Sequence, residues 1–190
     1  LLTRTAARPG DRLWLGGSVG ESVVGRNLID RGARLDSRHI VLPRRFRRPE
    51  GVRRAAARAL RRHLQPRAQL ELGQWLGRRS RAAVIDVSDG LALDLTRLCE
   101  ASGVGATLDA DALPLARSFL RLTGRLDLEP QACALGGGED YVLLFAVPPT
   151  VRPPASMGCT AIGHVESGNR VLVQRGERRT PLEPLGWSHL

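Results

Sequence analysis

Two short acidic segments, residues 86–90 (DVSDG) and 136–141 (GGGEDY), carry the residue types that could do chemistry. In the first, Asp86 and Asp89 flank Ser88, after an apolar stretch and before an amphipathic one. This order predicts two carboxylates and a hydroxyl where a strand ends and a helix begins, a junction that commonly holds phosphates and their metal ions. Mg²⁺ often takes only one or two carboxylates beside substrate phosphates, so Asp86 and Asp89 are candidate metal ligands, and Ser88 can donate to a phosphate oxygen.

A purely structural role for the same segment stays open. Ser88 or Asp89 can cap the following helix, and Asp86 can accept hydrogen bonds from the amides of the turn. The spacing of the three residues is compatible with both roles.

The GGGEDY segment places three glycines before Glu139 and Asp140. Glycines let a backbone approach a ligand closely or take a positive φ. The apolar residues 141–147 predict a buried strand, and two acids at its start are unusual unless they are paired or solvated. The alternative is a tight turn with an exposed acidic tip, and this segment alone does not separate the two.

The elements that must position these residues alternate along the chain. Apolar periodicity and turn residues predict helices at 21–32, 50–64, 69–76, 91–101 and 115–124. They predict strands at 9–15 (after a turn), 82–87, 105–109, 141–147, 159–166 and 170–174. Residues 82–87 lack a polar break before Asp86, so we expect a central, buried strand there, and residues 33–49 are predicted to be a loop. The order favours an α/β or α+β fold, a mixed sheet covered by helices.

The composition indicates one globular unit. With 190 residues and 42% hydrophobic content the chain can bury a core. No apolar run is long enough to cross a membrane, and the start lacks the apolar stretch of a signal peptide. The three cysteines show no metal or disulfide spacing, which favours a reducing, cytoplasmic location. The chain begins without Met, so we expect a part that precedes it.

The net charge of +10 invites a nucleic-acid interpretation. All 29 basic residues are arginine, which indicates coding bias more than a nucleic-acid surface. The charge is uneven, since residues 1–81 carry 20 arginines and 6 acids, whereas residues 82–190 carry 9 and 13. The densest run, residues 44–62, falls on a predicted loop and an exposed helical face, where a solvated surface is the simpler role and phosphate binding the other.

Several catalytic patterns are absent from the sequence. There is no lysine, no GxxxxGK[ST] and no GxGxxG, and the four histidines lack metal spacing, so we expect them at the surface. The segment GGSVGE at 16–21 is similar to an anion-binding turn at a helix start. Trp187 could stack on a ring-bearing ligand or could pin the tail to the core.

Taken in order, the segments resemble thiamine-monophosphate kinase. The segments are LLTRTAARPGDRLWLGGSVGES, AAVIDVSDGLALDLTRLCEASGVGATLDADALPL, ALGGGEDYVLLFAVPP, IGHV and the terminal GWSHL. The similarity covers nearly the whole chain and is weakest in residues 33–65. Within the wider superfamily, which includes aminoimidazole ribonucleotide synthetase, the combination of IDVSDGL, GGGEDY and a terminal GW is specific to this enzyme.

The resemblance implies ATP-dependent phosphorylation of thiamine monophosphate to thiamine diphosphate, with Mg²⁺. It implies that Asp86 and Asp89 are Mg²⁺ ligands and that Arg4 and Ser88 contact ATP. It further implies that Glu139 and Trp187 contact the thiamine substrate. The acceptor is already an anionic phosphate, so no strong general base is required, and no residue is assigned a catalytic role.

The same resemblance implies that residues 1–190 correspond to a C-terminal lobe and that the N-terminal domain of the family is absent from this chain. The missing lobe, or a second copy in a dimer, would then be the partner. The sequence departs from the family with GGGED for SGGED and HLQPRAQ for HLRPxPR. Two alternatives stay open: a non-catalytic nucleic-acid-binding protein that uses residues 44–62, and an inactive, truncated remnant of the kinase.

Overall fold

The computed structural model describes residues 2–36, 39–79 and 81–186. The helices are α1 (Glu21–Asp30), α2 (Glu50–Leu64), α3 (Leu70–Gly77), α4 (Leu91–Ser102), α5 (Arg117–Gly124) and α6 (Pro130–Gly136). The strands are β1 (Arg12–Gly16), β2 (Arg34–Asp36), β3 (His39–Val41), β4 (Ala83–Asp86), β5 (Gly105–Asp109), β6 (Leu143–Val147), β7 (Cys159–Glu166), β8 (Val171–Arg175) and β9 (Arg178–Pro181).

Seven of the strands form one mixed sheet in the order β4-β6-β1-β7-β5-β8-β9. Neighbouring strands are antiparallel except for β5 and β8, which are parallel. Helices cover the sheet, so the predicted fold class, a mixed sheet covered by helices, is confirmed.

The two faces of the sheet bury alternate residues of each strand, as the pleat requires. On one face Leu13 and Leu15 of β1 pack with Leu95 and other apolar residues of α4. On the other face Phe145 of β6 packs with Leu72 of α3. Each of these fully buried side chains contributes about 2 kcal/mol to the free energy of folding.

A second layer forms where α1, α2 and α5 pack together around Phe46 and Leu60. Helix α2 turns Val52, Ala55, Ala56, Ala59 and Leu60 inward, and its arginines are exposed except for the half-buried Arg62. Gly25 of α1 allows the two helix backbones to touch, because a Cβ at Gly25 would lie 2.2 Å from the carbonyl oxygen of Ala59.

Several sequence predictions need correction. Strand β4 is buried but lies at the edge of the sheet, where its Val84 N–H donates to the Thr3 carbonyl at 2.9 Å. Residues 33–49 are not one loop, since they hold the hairpin β2–β3 and a short 3₁₀ turn at Arg44–Phe46. The strand predicted at 141–147 begins at Leu143, and the sequence reasoning missed α6 and β9.

No helix among the described residues is long and apolar enough to cross a membrane. Cys99, Cys133 and Cys159 are all free thiols, in agreement with the absence of disulfide spacing.

Candidate functional site

The first acidic turn links the end of β4 to the start of α4. Asp94, buried in the first turn of α4, accepts hydrogen bonds from the backbone N–H groups of Ser88 (2.9 Å) and Asp89 (3.0 Å). Within the described residues no side-chain hydrogen bond caps α4, so Ser88 and Asp89 do not have the capping role of the structural alternative, and Asp94 instead holds the turn that precedes the helix. The hydroxyl of Ser88 and the carboxylate of Asp89 are left for other contacts.

The Asp89 carboxylate forms an ion pair with Arg97, one turn further along α4. Arg97 also donates to Asp94 at 3.0 Å, and its hydrogen bond to Asp89 raises the pKa of the guanidinium. Asp86, the last residue of β4, is exposed.

The carboxylates of this turn can bind a hard cation such as Mg²⁺ only together with further ligands. Among the described residues no three His, Cys, Asp or Glu side chains cluster to hold a metal ion. Asp86 and Asp89 offer carboxylate oxygens, which Mg²⁺ prefers, and substrate phosphates and water would have to supply the other ligands. The residues thus fit a Mg²⁺ ion that arrives with a nucleotide.

The second acidic turn, after α6, docks on the first through backbone contacts. The N–H of Glu139 donates to the carbonyl of Ser88 at 2.7 Å, and the N–H of Tyr141 donates to the carbonyl of Val87 at 2.9 Å. Gly138 makes this approach possible, because a Cβ there would lie 2.6 Å from the Ser88 oxygen. Glu139 and Tyr141 both have positive φ, 63° and 50°, a strained geometry that occurs often at binding sites.

Asp140 and Glu139 have opposite environments. Asp140 is fully buried and accepts N–H hydrogen bonds from Gly20 (2.5 Å) and Ser22 (3.0 Å) at the start of α1. Burial raises the pKa of Asp140 to about 7, and the two N–H groups only partly offset that rise. The exposed acidic tip is therefore wrong for Asp140, whereas the Glu139 side chain remains 58% exposed.

The two turns form a groove of about 660 Å³, here called the two-turn groove. Its lining comprises Val23, Arg26, Ser88, Asp89, Gly136, Gly137, Gly138, Glu139, Tyr141 and Gly186. The structure thus brings together three of the predicted site residues, Ser88, Asp89 and Glu139. Asp86 lies beside them in the same turn without lining the groove.

One predicted site residue, Arg4, does not join this group. Arg4 is exposed, and its carbonyl accepts a hydrogen bond from Ser102 at 2.6 Å. Ser102 ends α4, so roughly the length of that helix, about 18 Å, separates Arg4 from the two-turn groove. Trp187 lies outside the described residues, although the preceding Gly186 lines the groove.

The sequence reasoning missed His63, which was expected at the surface with the other histidines. Its side chain is 14% exposed, and its Nδ1 lies 3.0 Å from Ser22 Oγ and 3.3 Å from Glu139 Oε2. The helical spacing that places His63 on the α1 side of α2 was available in the sequence, but the contact with Glu139 depends on tertiary packing.

The arginines of residues 44–62 form a separate surface on α2 and the 3₁₀ turn before it, here called the arginine surface. This surface lies next to the β2–β3 hairpin. It borders grooves of about 780 and 450 Å³, and the predicted exposed helical face is confirmed. Glu50 pairs with Arg53 and Arg54, and the buried Glu21 pairs with Arg58 at 2.5 Å. Part of this charge is therefore neutralised within the fold.

Comparison with known proteins identifies the family of the chain. Residues 8–174 match the family model described as AIR synthase related protein, C-terminal domain. Thiamine-monophosphate kinase of Pyrococcus abyssi is 31% identical over 190 residues, which are 100% of this chain and 53% of that protein. The Salmonella typhimurium enzyme is 35% identical over 166 residues, 85% of this chain and 44% of that protein.

Solved structures give the same result. AaThiL complexed with AMPPCP and TMP superposes with a TM-score of 0.79 and 29% identity, and covers 100% of this chain and 54% of that one. Thiamine monophosphate kinase from Aquifex aeolicus gives 0.73 and 29%, with 90% and 52% covered. The expected resemblance to these kinases is confirmed, and the chain spans about half the length of the relatives it matches.

Proposed function

Because the chain belongs to the AIR synthase related protein family, C-terminal domain, we propose that it is the C-terminal half of a thiamine-monophosphate kinase. The reaction transfers a phosphoryl group from ATP to thiamine monophosphate and yields thiamine diphosphate. The observation that carries the proposal is the two-turn groove, in which Ser88, Asp89 and Glu139 meet. Its volume of about 660 Å³ falls in the range of small-molecule sites.

The residues of the groove suit phosphoryl transfer, which depends on positioning and charge neutralisation more than on a covalent nucleophile. We assign Ser88 to a nucleotide phosphate and Glu139 to the thiamine ring system, whose thiazolium ring is a cation. Asp86 and Asp89 would hold Mg²⁺, which neutralises charge on the transferring phosphoryl group when bound.

Two assignments depend on parts of the enzyme beyond the groove. Arg4 lies at the far end of α4. It can contact a nucleotide only if the other half of the enzyme, or a second copy of the chain, places the nucleotide there. Trp187 follows Gly186 of the groove and remains a proposed substrate contact. We likewise propose that the N-terminal half is a separate or missing domain, since the chain spans about half the length of its relatives. We also propose that the enzyme is a dimer and that it is cytoplasmic.

The proposal is tested by binding and by activity. We expect calorimetry to detect binding of thiamine monophosphate to the chain. Glu139→Gln should weaken the affinity for thiamine monophosphate about tenfold or more. Asp89→Asn should instead weaken the affinity for Mg²⁺-ATP. Glu177→Gln, in the exposed β8–β9 turn, is the matched control and should change neither. Thiamine diphosphate formation should be restored when the chain is mixed with the N-terminal half of the P. abyssi relative.

Two results would overturn the proposal. One is equal affinity of the chain for thiamine monophosphate with and without the Glu139 carboxylate. The other is the absence of binding and of activity under every combination, which would favour the inactive remnant. The nucleic-acid alternative rests on the arginine surface, and it predicts tight binding whose affinity falls steeply with salt.

A further inference from the structure

His63 lies against the exposed carboxylate of the two-turn groove, Glu139. Glu139 extends from a short turn, its side chain is 58% exposed, and a solvated glutamate samples many rotamers. The His63 ring stands behind it, largely buried, with Nδ1 at 3.3 Å from Glu139 Oε2. A buried ring that contacts an exposed carboxylate can select one orientation of that carboxylate.

If His63 is to orient Glu139, its Nδ1 must carry a hydrogen. An ionised carboxylate only accepts hydrogen bonds, so the nitrogen that faces Glu139 must be a donor. Ser22 Oγ, 3.0 Å from the same nitrogen, can accept from it as well. A hydrogen on Nδ1 lets His63 serve both oxygens, whether or not Nε2 also carries one, whereas a Ser22 Oγ–H that donates to an unprotonated Nδ1 would leave Glu139 without a donor.

The fold holds both partners of this contact in place. Gly25 lets α1 and α2 touch, and a Cβ at Gly25 would lie 2.9 Å from the Cβ of His63. The backbone of Glu139 is fixed by its hydrogen bond to Ser88, and the next residue, Asp140, binds the N–H of Ser22. The imidazole, the serine and the carboxylate thus belong to one rigid junction of the two helices and the second turn.

We propose that His63 is a positioning residue: with Ser22 it orients the Glu139 carboxylate toward a cationic, nitrogen-containing ring in the two-turn groove. The inference rests on the proposed function for the identity of that ring, thiamine monophosphate. His63 does not touch the transferred phosphoryl group, so its loss should weaken substrate binding and leave the chemical step nearly unchanged. Freeing one glutamate side chain should lower the affinity about tenfold.

The first arm of the test examines the contact without any ligand. Long-range ¹H–¹⁵N spectra of the chain should show His63 as the Nδ1–H form, and Glu139→Gln should shift its Nδ1 resonance. Glu177→Gln should leave that resonance unchanged. If His63 is instead the Nε2–H form in the wild-type chain, or if Glu139→Gln has no effect on it, the positioning role is overturned whatever the protein binds.

The second arm measures the affinity for thiamine monophosphate in two variants of matched size. His63→Asn keeps an N–H donor near the Nδ1 position, whereas His63→Leu has similar volume and no donor. We expect about a tenfold loss of affinity in His63→Leu, substantial recovery in His63→Asn, and no further loss when Glu139→Gln is added to His63→Leu. Mg²⁺-ATP affinity should stay within twofold in both.

The outcomes separate the two proposals. If the wild-type chain binds no thiamine monophosphate, the proposed function fails, while the spectra still decide whether His63 orients Glu139. If His63→Leu binds as well as wild type, or if His63→Asn is no better than His63→Leu at equal thermal stability, the ring only fills space and the positioning role is wrong.

Discussion

The two acidic turns of the groove are built on the same plan. In each, one buried carboxylate accepts two backbone N–H groups: Asp94 serves the first turn, and Asp140 serves the second. In each, the other carboxylate stays in the groove beside a basic side chain, Arg97 for the first turn and His63 for the second.

The turns differ in how the buried charge is compensated. Arg97 donates to Asp94 at 3.0 Å, so the first turn buries its carboxylate together with a cation. In the described part of the chain no basic side chain hydrogen-bonds Asp140, and burial raises the pKa of Asp140 to about 7. The first turn is therefore held by a salt bridge, whereas the carboxyl of the second is held by the N–H groups at the start of α1, with the charge of Arg62 acting on it from a distance.

The largest expected effect tests whether the two turns form one unit. Gly138→Ala would place a Cβ 2.6 Å from the backbone oxygen of Ser88, and neither backbone can yield without breaking the hydrogen bond beside it. We expect the free energy of unfolding to fall by about 3 kcal/mol in urea titrations. Gly51→Ala in α2, with no atom within 4 Å of the new Cβ, should be neutral or stabilising. An unchanged midpoint for Gly138→Ala would show that the turns do not dock.

The second prediction sharpens the difference between the turns. The pKa of Asp140 is raised from 3.8 to about 7, so the folded state binds this proton more tightly than the unfolded state. The resulting stability is complete below pH of about 4 and is lost as the pH rises through about 7.

The measurement compares wild type with Asp140→Asn, which cannot titrate. We expect the wild-type stability relative to this variant to fall by on the order of 1 kcal/mol per pH unit between pH 5 and 7. Above pH 8 the difference should be constant. Parallel stability curves across the whole range would show that the N–H groups of Gly20 and Ser22 fully offset the burial of the charge.

The sequence predicted the parts of this design that local pattern determines. The strand–turn–helix order around Asp86 and Ser88 follows from apolar periodicity. The glycines of the second turn were expected to approach a ligand or to take a positive φ, but Gly138 approaches the backbone of Ser88 and the positive φ angles fall on Glu139 and Tyr141. The role of Asp94 was out of reach, since an Asp in the first turn of a helix is usually solvated. The contact of Asp140 with α1 joins residues about 120 apart in the chain, and the contact of His63 with Glu139 joins residues 76 apart.

Errors in the fold predictions have the same physical origin. The apolar run 82–87 is typical of a central strand, but β4 buries Ala83 and Ile85 on one side only and is an edge strand that pairs with Thr3 through a single bridge. Residues 33–49 lack clear alternation, and the hairpin β2–β3 forms because it packs Ile40 and Leu42 against the α2 layer. Pairing partners of a strand are tertiary information that period and composition do not contain.

The smallest expected effect concerns the arginine surface, where charge is dense but exposed. Glu50 is held by hydrogen bonds from Arg53 and Arg54, which lower its pKa to about 2. All three side chains are at least half exposed, so water and salt screen the interaction, and holding the long arginines costs side-chain entropy. We expect Glu50→Gln to leave the urea midpoint at pH 7 unchanged within error at physiological salt. A clear fall of the midpoint would mean that the arginines of α2 repel each other strongly enough to need this carboxylate, and that the arginine surface contributes to the stability of the fold.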